Sequence, residues 1–132
     1  MILLEASKKF LSLLAKAEAT ATPKKYSVSA TPSAQKGLES IYLSGKYKKA
    51  EIETRFESCF RNFYQGTFAE NPKDHKLNDA AELKNARSCH PFGDEVVVIN
   101  VIDIGAMKGK PEQHLVNILY IGNHSNNPYY DM

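Results

Sequence analysis

The sequence has few cysteines, little net charge and no long apolar run. Its two cysteines, Cys59 and Cys89, are too few for a disulfide framework, so we expect both to be reduced and the protein to be cytoplasmic. The formal net charge of +2 is too small to indicate a nucleic-acid-binding protein by bulk electrostatics. No apolar run approaches the length of about 18 residues that a membrane span requires, so we expect no membrane association.

The composition indicates one soluble globular domain. The chain has 132 residues, 42% of them hydrophobic and 24% charged, which suits a single domain with a core of its own. Apolar residues recur at helical spacing near the N-terminus, at Leu3, Phe10, Leu14 and Ala17. We therefore predict an N-terminal helical extension over residues 1–22 and a main domain over residues 23–132.

The hydrophobic pattern predicts helices and strands in the order β, α, α, β, β, β after this extension. "YSVSAT" alternates as a half-buried strand does, and "EVVVINVIDIG" is a β-branched run typical of a central strand. Gly45 and Gly66 mark the ends of the two helices. The sequence thus predicts an α+β fold, with a small antiparallel sheet of about four strands and two helices on one face. We expect the other face to be exposed.

Three of the four histidines fall at strand ends or in loops, where catalytic groups concentrate. His75 lies in "KDHKL", His90 ends a predicted strand four residues before Asp94, and His124 follows the last strand. Taken one at a time, each is more simply a solvated residue, as we interpret His114. A Cys89–His90 pair in "SCHP" is a weak alternative, because adjacent side chains of a strand point to opposite faces. Two tyrosines, Tyr129 and Tyr130, lie near the C-terminal end of the sequence.

Three short motifs, in order, carry a resemblance to a known family. These are "KDHKL", "HPFGD" with its His-x-x-x-Asp spacing, and "IGNH" with aromatic residues behind it. Together with the order of helices and strands, they resemble the RelE/ParE superfamily of bacterial toxins and, within it, the YafQ branch. The resemblance covers about residues 26–130 and leaves the N-terminal helix without a counterpart.

The resemblance implies a ribosome-dependent endoribonuclease that cuts messenger RNA without a cofactor or metal, and that a cognate antitoxin protein inhibits. It implies a catalytic set with two proton-transfer groups and an aromatic group that stacks on a base: His75, His90, Asp94, His124 and Tyr129 or Tyr130. Histidine suits either proton transfer because its pKa lies near neutrality. Lys76, Lys84 and Arg87 are the residues we expect to contact phosphate.

Two other interpretations stay open. Three histidines and an aspartate are also a plausible set of zinc or manganese ligands. A non-catalytic binding protein of the same fold is the second alternative, and Glu95 favours it. The family has an aromatic residue at this position, and a carboxylate there repels a scissile phosphate unless it is paired or points away.

Overall fold

The computed structural model describes the backbone of residues 2–76, 86–93, 95–103 and 114–123, and the side chains of residues 8–74, 86–93, 95–102 and 115–123. Within these ranges the order of helices and strands is the predicted one, with a 3₁₀ turn at Phe68–Glu70 and a two-residue strand added between the last helix and the next predicted strand. The helices and strands are α1 (Ile2–Thr20), β1 (Tyr26–Ala30), α2 (Pro32–Ser44), α3 (Lys49–Gln65), β2 (His75–Lys76), β3 (Ala86–Cys89), β4 (Val96–Asp103) and β5 (His114–Asn123). No helix in the described ranges has the length and apolar character needed to cross a membrane.

The strands form one mixed sheet in the order β1-β5-β4-β3-β2. The pairs β3–β4 and β4–β5 are antiparallel, as predicted, and the added strand β2 is antiparallel to β3. Strand β1 runs parallel to β5, where the sequence predicted an antiparallel sheet. A parallel pair needs a long connection, and most of the chain lies between these two strands. Consequently β1, β3 and β5 run in one direction, and β2 and β4 run in the other. The α+β prediction is confirmed.

Helices α2 and α3 end at the two glycines that the sequence predicts. Thr31 accepts a hydrogen bond from the Ala34 amide at the start of α2, and Gly45 ends that helix in the left-handed conformation at φ 70°. Gly66 ends α3 in the same way, at φ 76°. The buried stripe of α3 packs into the core on one face of the sheet and consists of Ile52, Phe56, Cys59, Phe60, Phe63 and Tyr64.

Helix α1 is part of this core. Phe10 and Ala17 are fully buried, and the ring of Phe10 lies 5.3 Å from that of Phe60 in α3. Leu13 and Leu14 are also buried in the same cluster. The described part of the apolar stripe predicted for the N-terminal helix, at Phe10, Leu14 and Ala17, is therefore covered by the protein's own core, whereas the side chain of Leu3 lies outside the described residues.

Strand β4 is buried on both of its faces. Val96 and Val98 pack against the helices, and Val97 and Ile99, which alternate with them, are also 0% exposed. The expectation that the face away from the helices is exposed is therefore wrong at the centre of the sheet. The β-branched run from Val96 to Ile99, with no polar residue alternating, is the pattern of such a doubly buried strand.

Helix α2 lies directly on β5. A Cβ atom added to Gly37 would overlap the carbonyl oxygen of Ile121, so only glycine permits this approach. The Thr31 hydroxyl donates a hydrogen bond to the Leu119 carbonyl at 2.8 Å and ties the start of α2 to the same strand.

Candidate functional site

One end of the sheet gathers the chain segments that carry the predicted catalytic motifs. His75 begins β2 and pairs with Ser88, next to Cys89 at the end of β3. Val96 begins β4 and pairs with Asn123, the last residue of β5. Strands β3 and β5 run in the same direction because each is antiparallel to β4, which lies between them. The sequence could not settle whether these strand ends meet, and the sheet topology brings them to the same end.

The predicted site residues are described to different extents. His90 has a described side chain, which is buried at 6% exposure, directly after β3. The backbone of His75 lies beside the end of β3, but its side chain, like that of Lys76, lies outside the described residues. Also outside the described residues are Lys84, Asp94, His124, Tyr129 and Tyr130.

Hydrogen bonds connect the turn before His75 to α3 and to the residue that follows β3. The side-chain amide of Asn62 donates to that of Asn71 at 2.7 Å, and Asn71 is only 3% exposed. The backbone N–H of His90 donates to the Pro72 carbonyl at 2.8 Å. These two hydrogen bonds hold the turn at Asn71 and Pro72 against α3 and against the end of β3. The backbones of His75, which follows this turn, and His90 are therefore neighbours.

Asp74 and Arg87 form an ion pair between this turn and β3. The Arg87 Nε atom lies 3.1 Å from each carboxylate oxygen of Asp74, and an Nη2 hydrogen bond completes a forked contact. The Asp74 side chain is 1% exposed and the Arg87 side chain 18%. The hydrogen bond with Asp74 raises the pKa of Arg87 above its ordinary value. This charge therefore holds the turn in place, and a phosphate contact by the same guanidinium stays a prediction.

The loop after β3 is anchored on α3. The Arg55 guanidinium donates to the Pro91 carbonyl at 2.9 Å and stacks 4.8 Å above the ring of Phe92. The ring of Phe92 also packs on that of Tyr47, with 4.1 Å between ring centres. Phe92 and Arg55 thus support the segment that begins with His90, a role that the sequence motifs did not reveal.

Cys89 is held as a protonated thiol. Its sulfur lies 3.5 Å from that of Cys59 in α3, and both side chains are buried. The hydrogen bond with Cys59 and the burial together raise the pKa of Cys89 well above its ordinary value. A thiolate nucleophile needs a lowered pKa, so this environment disfavours a Cys89–His90 nucleophilic pair.

Glu95 is paired. Its carboxylate accepts a hydrogen bond from the Tyr47 hydroxyl at 2.7 Å and forms an ion pair with Lys46. The hydrogen bonds from Lys46 and then from Tyr47 lower the pKa of this carboxyl. The negative charge at the position where the resembled family has an aromatic residue is therefore compensated by a neighbouring cation.

The comparisons with known proteins agree with this topology. No protein-family model matches the sequence, and the curated proteins contain no significant match. Among solved structures, one of the DinJ–YafQ toxin–antitoxin complex of Escherichia coli matches with a TM-score of 0.54 at 15% identity, over 76% of this chain and 94% of the matched chain. A second structure of the same complex matches with a TM-score of 0.53 at 16% identity and the same coverage. This chain has the YafQ/RelE-type fold. At this level of identity the likeness establishes the fold alone.

The YafQ/RelE-type fold of this chain carries a groove beside the same end of the sheet. The groove has a volume of about 390 Å³ and runs between α2, the segment at Lys46 and Tyr47, and the last residues of β5. Tyr120 and Gly122 lie along it. The Tyr120 hydroxyl donates to the Asn123 carbonyl at 3.1 Å, and a Cβ atom on Gly122 would lie 2.7 Å from that hydroxyl. Sequence reasoning missed this groove because its walls come from segments distant in the chain.

A metal centre finds no support among the described side chains, where no three His, Cys, Asp or Glu residues are grouped closely enough to hold an ion. The alternative set of metal ligands is not tested by this result. Of its four members, only His90 has a side chain within the described ranges.

Proposed function

We propose that this protein is the toxin of a toxin–antitoxin system and that it cleaves messenger RNA on the ribosome. The observation that carries the proposal is the topology of the YafQ/RelE-type sheet. The ends of β3 and β5 and the starts of β2 and β4 lie at one end of this sheet. The three histidine motifs of the sequence belong to these segments. Two solved structures that match this fold are of a toxin–antitoxin complex, which supports the same class of protein.

The proposed chemistry is attack of the RNA 2′-oxygen on the neighbouring phosphate. One imidazole takes the proton of the 2′-hydroxyl, and another returns a proton to the leaving 5′-oxygen. His75, His90 and His124 supply these groups, with Asp94 orienting or charging one of them. Tyr129 or Tyr130 stacks on a splayed base, and Lys76, Lys84 or Arg87 contacts the phosphate. No step requires a metal ion.

The proposed partners are messenger RNA on the ribosome and a small antitoxin protein, so the proposed compartment is the cytoplasm, where translation takes place. Because the buried face of α1 is occupied by the protein's own core, an antitoxin contact with this helix would use its other side. Leu11 lies on that side, with 59% of its surface exposed.

The decisive experiment is inducible expression in bacteria followed by primer extension on a reporter message. We expect new 5′ ends within translated codons, and the same cuts from purified protein with ribosomes in the presence of a chelator. Replacing any one of the three histidines with alanine or glutamine should lower the cleavage rate by about 10²- to 10⁴-fold, the usual contribution of a positioned proton-transfer group.

Two outcomes would favour the alternatives. Growth inhibition that survives loss of both His90 and His124 would indicate a non-catalytic binding protein of the same fold. Activity that a chelator abolishes and zinc or manganese restores would indicate a metal site. Unchanged cleavage by His75→Ala alone would remove His75 from the catalytic set and leave the other two histidines.

A further inference from the structure

A furrow with many basic side chains runs between α1 and α3. It consists of two adjoining hollows, with volumes of about 190 and 460 Å³, that share Glu53 as a lining residue. The described residues that line the two hollows include five basic and two acidic side chains, and one of the basic ones, Arg61, is paired with Glu57 at 3.2 Å. We call this surface the α1–α3 furrow. Its exposed lysines and serines are Lys8, Lys9, Lys16, Lys49, Ser12 and Ser58.

Most of the positive charge in the furrow has no ionic partner. In the part of the chain that the structure describes, Lys8, Lys16 and Lys49 form no ion pair. The ammonium group of Lys9 lies 4.8 Å from the centre of the Tyr42 ring and is also without a described carboxylate partner. Like charges that are gathered on one surface create a positive potential, which attracts an anionic partner.

Hydroxyl groups accompany these lysines. The side chains of Ser12, Thr54 and Ser58 are exposed and make no hydrogen bond with other described residues. Lysine ammonium groups and serine or threonine hydroxyls are among the groups that contact the phosphates of nucleic acids. Along α1, the rise from Lys9 to Lys16 is about 10 Å. The furrow is therefore long enough to contact more than one phosphate of a nucleic-acid strand.

The lining of the furrow disfavours two other occupants. No aromatic residue is among its described lining residues, whereas proteins usually hold single-stranded RNA by stacking bases on aromatic side chains. Leu13, the largest apolar residue of the described lining, is only 2% exposed, and the cores of protein–protein interfaces are poor in lysine, glutamate and serine. Double-helical RNA fits better, because proteins recognise it mainly through its phosphates and 2′-hydroxyls.

We propose that the α1–α3 furrow binds the sugar–phosphate backbone of double-helical ribosomal RNA and so helps to hold the protein on the ribosome. The inference rests on the proposed function, because the ribosome is the source of double-helical RNA in that reaction. One end of the furrow lies close in the chain to the proposed catalytic segments. Lys49 begins α3 two residues after Tyr47, whose hydroxyl donates to Glu95, the neighbour of the proposed catalytic position 94. This assigns a function to helix α1, which lies outside the resemblance to the toxin family.

The direct test is fluorescence anisotropy of the full chain with a labelled RNA hairpin of about 16 base pairs, and with a single strand of the same number of nucleotides. We expect the hairpin to bind more tightly. Lys16→Gln combined with Lys49→Gln should weaken hairpin binding at least about tenfold at about 0.1 M salt and lower the salt slope by about 2, because two phosphate contacts are lost. Glutamine has nearly the helix propensity of lysine, so both helices should be retained. The matched control combines Lys25→Gln with Lys36→Gln, at exposed lysines outside the furrow, and should bind nearly as the wild type does.

Co-sedimentation with purified ribosomes identifies the source of the RNA, and the furrow variant should be released at lower salt than the control. Each of three results would overturn the proposal: hairpin binding no tighter than that of the single strand, an equal loss of binding in the two double variants, or wild-type ribosome binding by the furrow variant. If the furrow variant kept hairpin binding but lost antitoxin binding, the furrow would be a protein contact instead. The hairpin assay uses no ribosome and measures no cleavage. Cleavage without hairpin binding would refute the furrow and retain the proposed function, and hairpin binding without cleavage would refute the proposed function and retain an RNA-binding furrow.

Discussion

Replacement of Asp74 with asparagine tests how the turn before His75 is held. The substitution keeps the size of the side chain and removes its charge. The Arg87 guanidinium then has no ionic partner at a position where the Asp74 side chain is only 1% exposed. Removing one member of a fully buried pair costs about 3–5 kcal/mol. Because the Arg87 side chain is 18% exposed and keeps some contact with water, we expect about 2–3 kcal/mol of lost folding free energy.

This loss should be visible in thermal unfolding followed by circular dichroism. At about 2.1 cal/mol/K per residue, the unfolding entropy of a 132-residue chain is about 280 cal/mol/K, so the melting temperature should fall by about 7–11 °C. The matched control is Glu18→Gln, which breaks the ion pair with Lys24, where both side chains are nearly half exposed. That change should cost less than about 1 kcal/mol.

A double-mutant cycle with Arg87→Gln gives the strictest version of this test. The two single substitutions should each be costly and the double substitution much less than their sum, since the second change removes the charge that the first leaves unpaired. Additive effects, or a shift for Asp74→Asn no larger than that of Glu18→Gln, would refute the view that this pair holds the turn. Messenger RNA cleavage by Asp74→Asn should fall below that of Glu18→Gln at a temperature where both are folded.

Three further predictions follow from the core and the groove. Gly37→Ala should lift α2 from β5 and cost about 1–3 kcal/mol in unfolding by denaturant, whereas Ser58→Ala in α3 should stay within about 0.5 kcal/mol of the wild type; equal effects would contradict the close approach. Titration followed by carbon-13 NMR should give a pKa below 4.5 for the Glu95 carboxyl, and this pKa should move toward 4.5 in Lys46→Ala. Because the pKa is lowered on folding, the ionised Glu95 stabilises the fold above pH 4.5. This stabilisation is lost as the pH falls through the pKa of the folded state. Deleting residues 1–20 should abolish cooperative unfolding or solubility, since four of the described side chains that it removes are buried in the core. A truncated protein with the wild-type melting temperature would show that α1 is dispensable.

The local pattern of the chain determined most of its helices and strands. The glycines at the ends of α2 and α3 and the β-branched run of β4 act through neighbouring residues, so they can be recognised without any tertiary contact. The motifs around His75 and His90 were visible for the same reason, and their placement at strand ends followed from these patterns. The two-residue strand β2 was missed, since so short a segment has no periodicity of its own.

Contacts between distant segments decided the rest. The parallel pairing of β1 with β5 and the order of strands arise when the whole sheet assembles. Because β3 and β5 are each antiparallel to β4, this order places the ends of β3 and β5 at the same end of the sheet. The ion pair of Asp74 with Arg87 and that of Glu95 with Lys46 join residues far apart in sequence, so no spacing rule predicts them. Only the structure shows that the charge of Glu95 is compensated by Lys46. The energy of two charges depends on the distance between them in space and not on their separation along the chain.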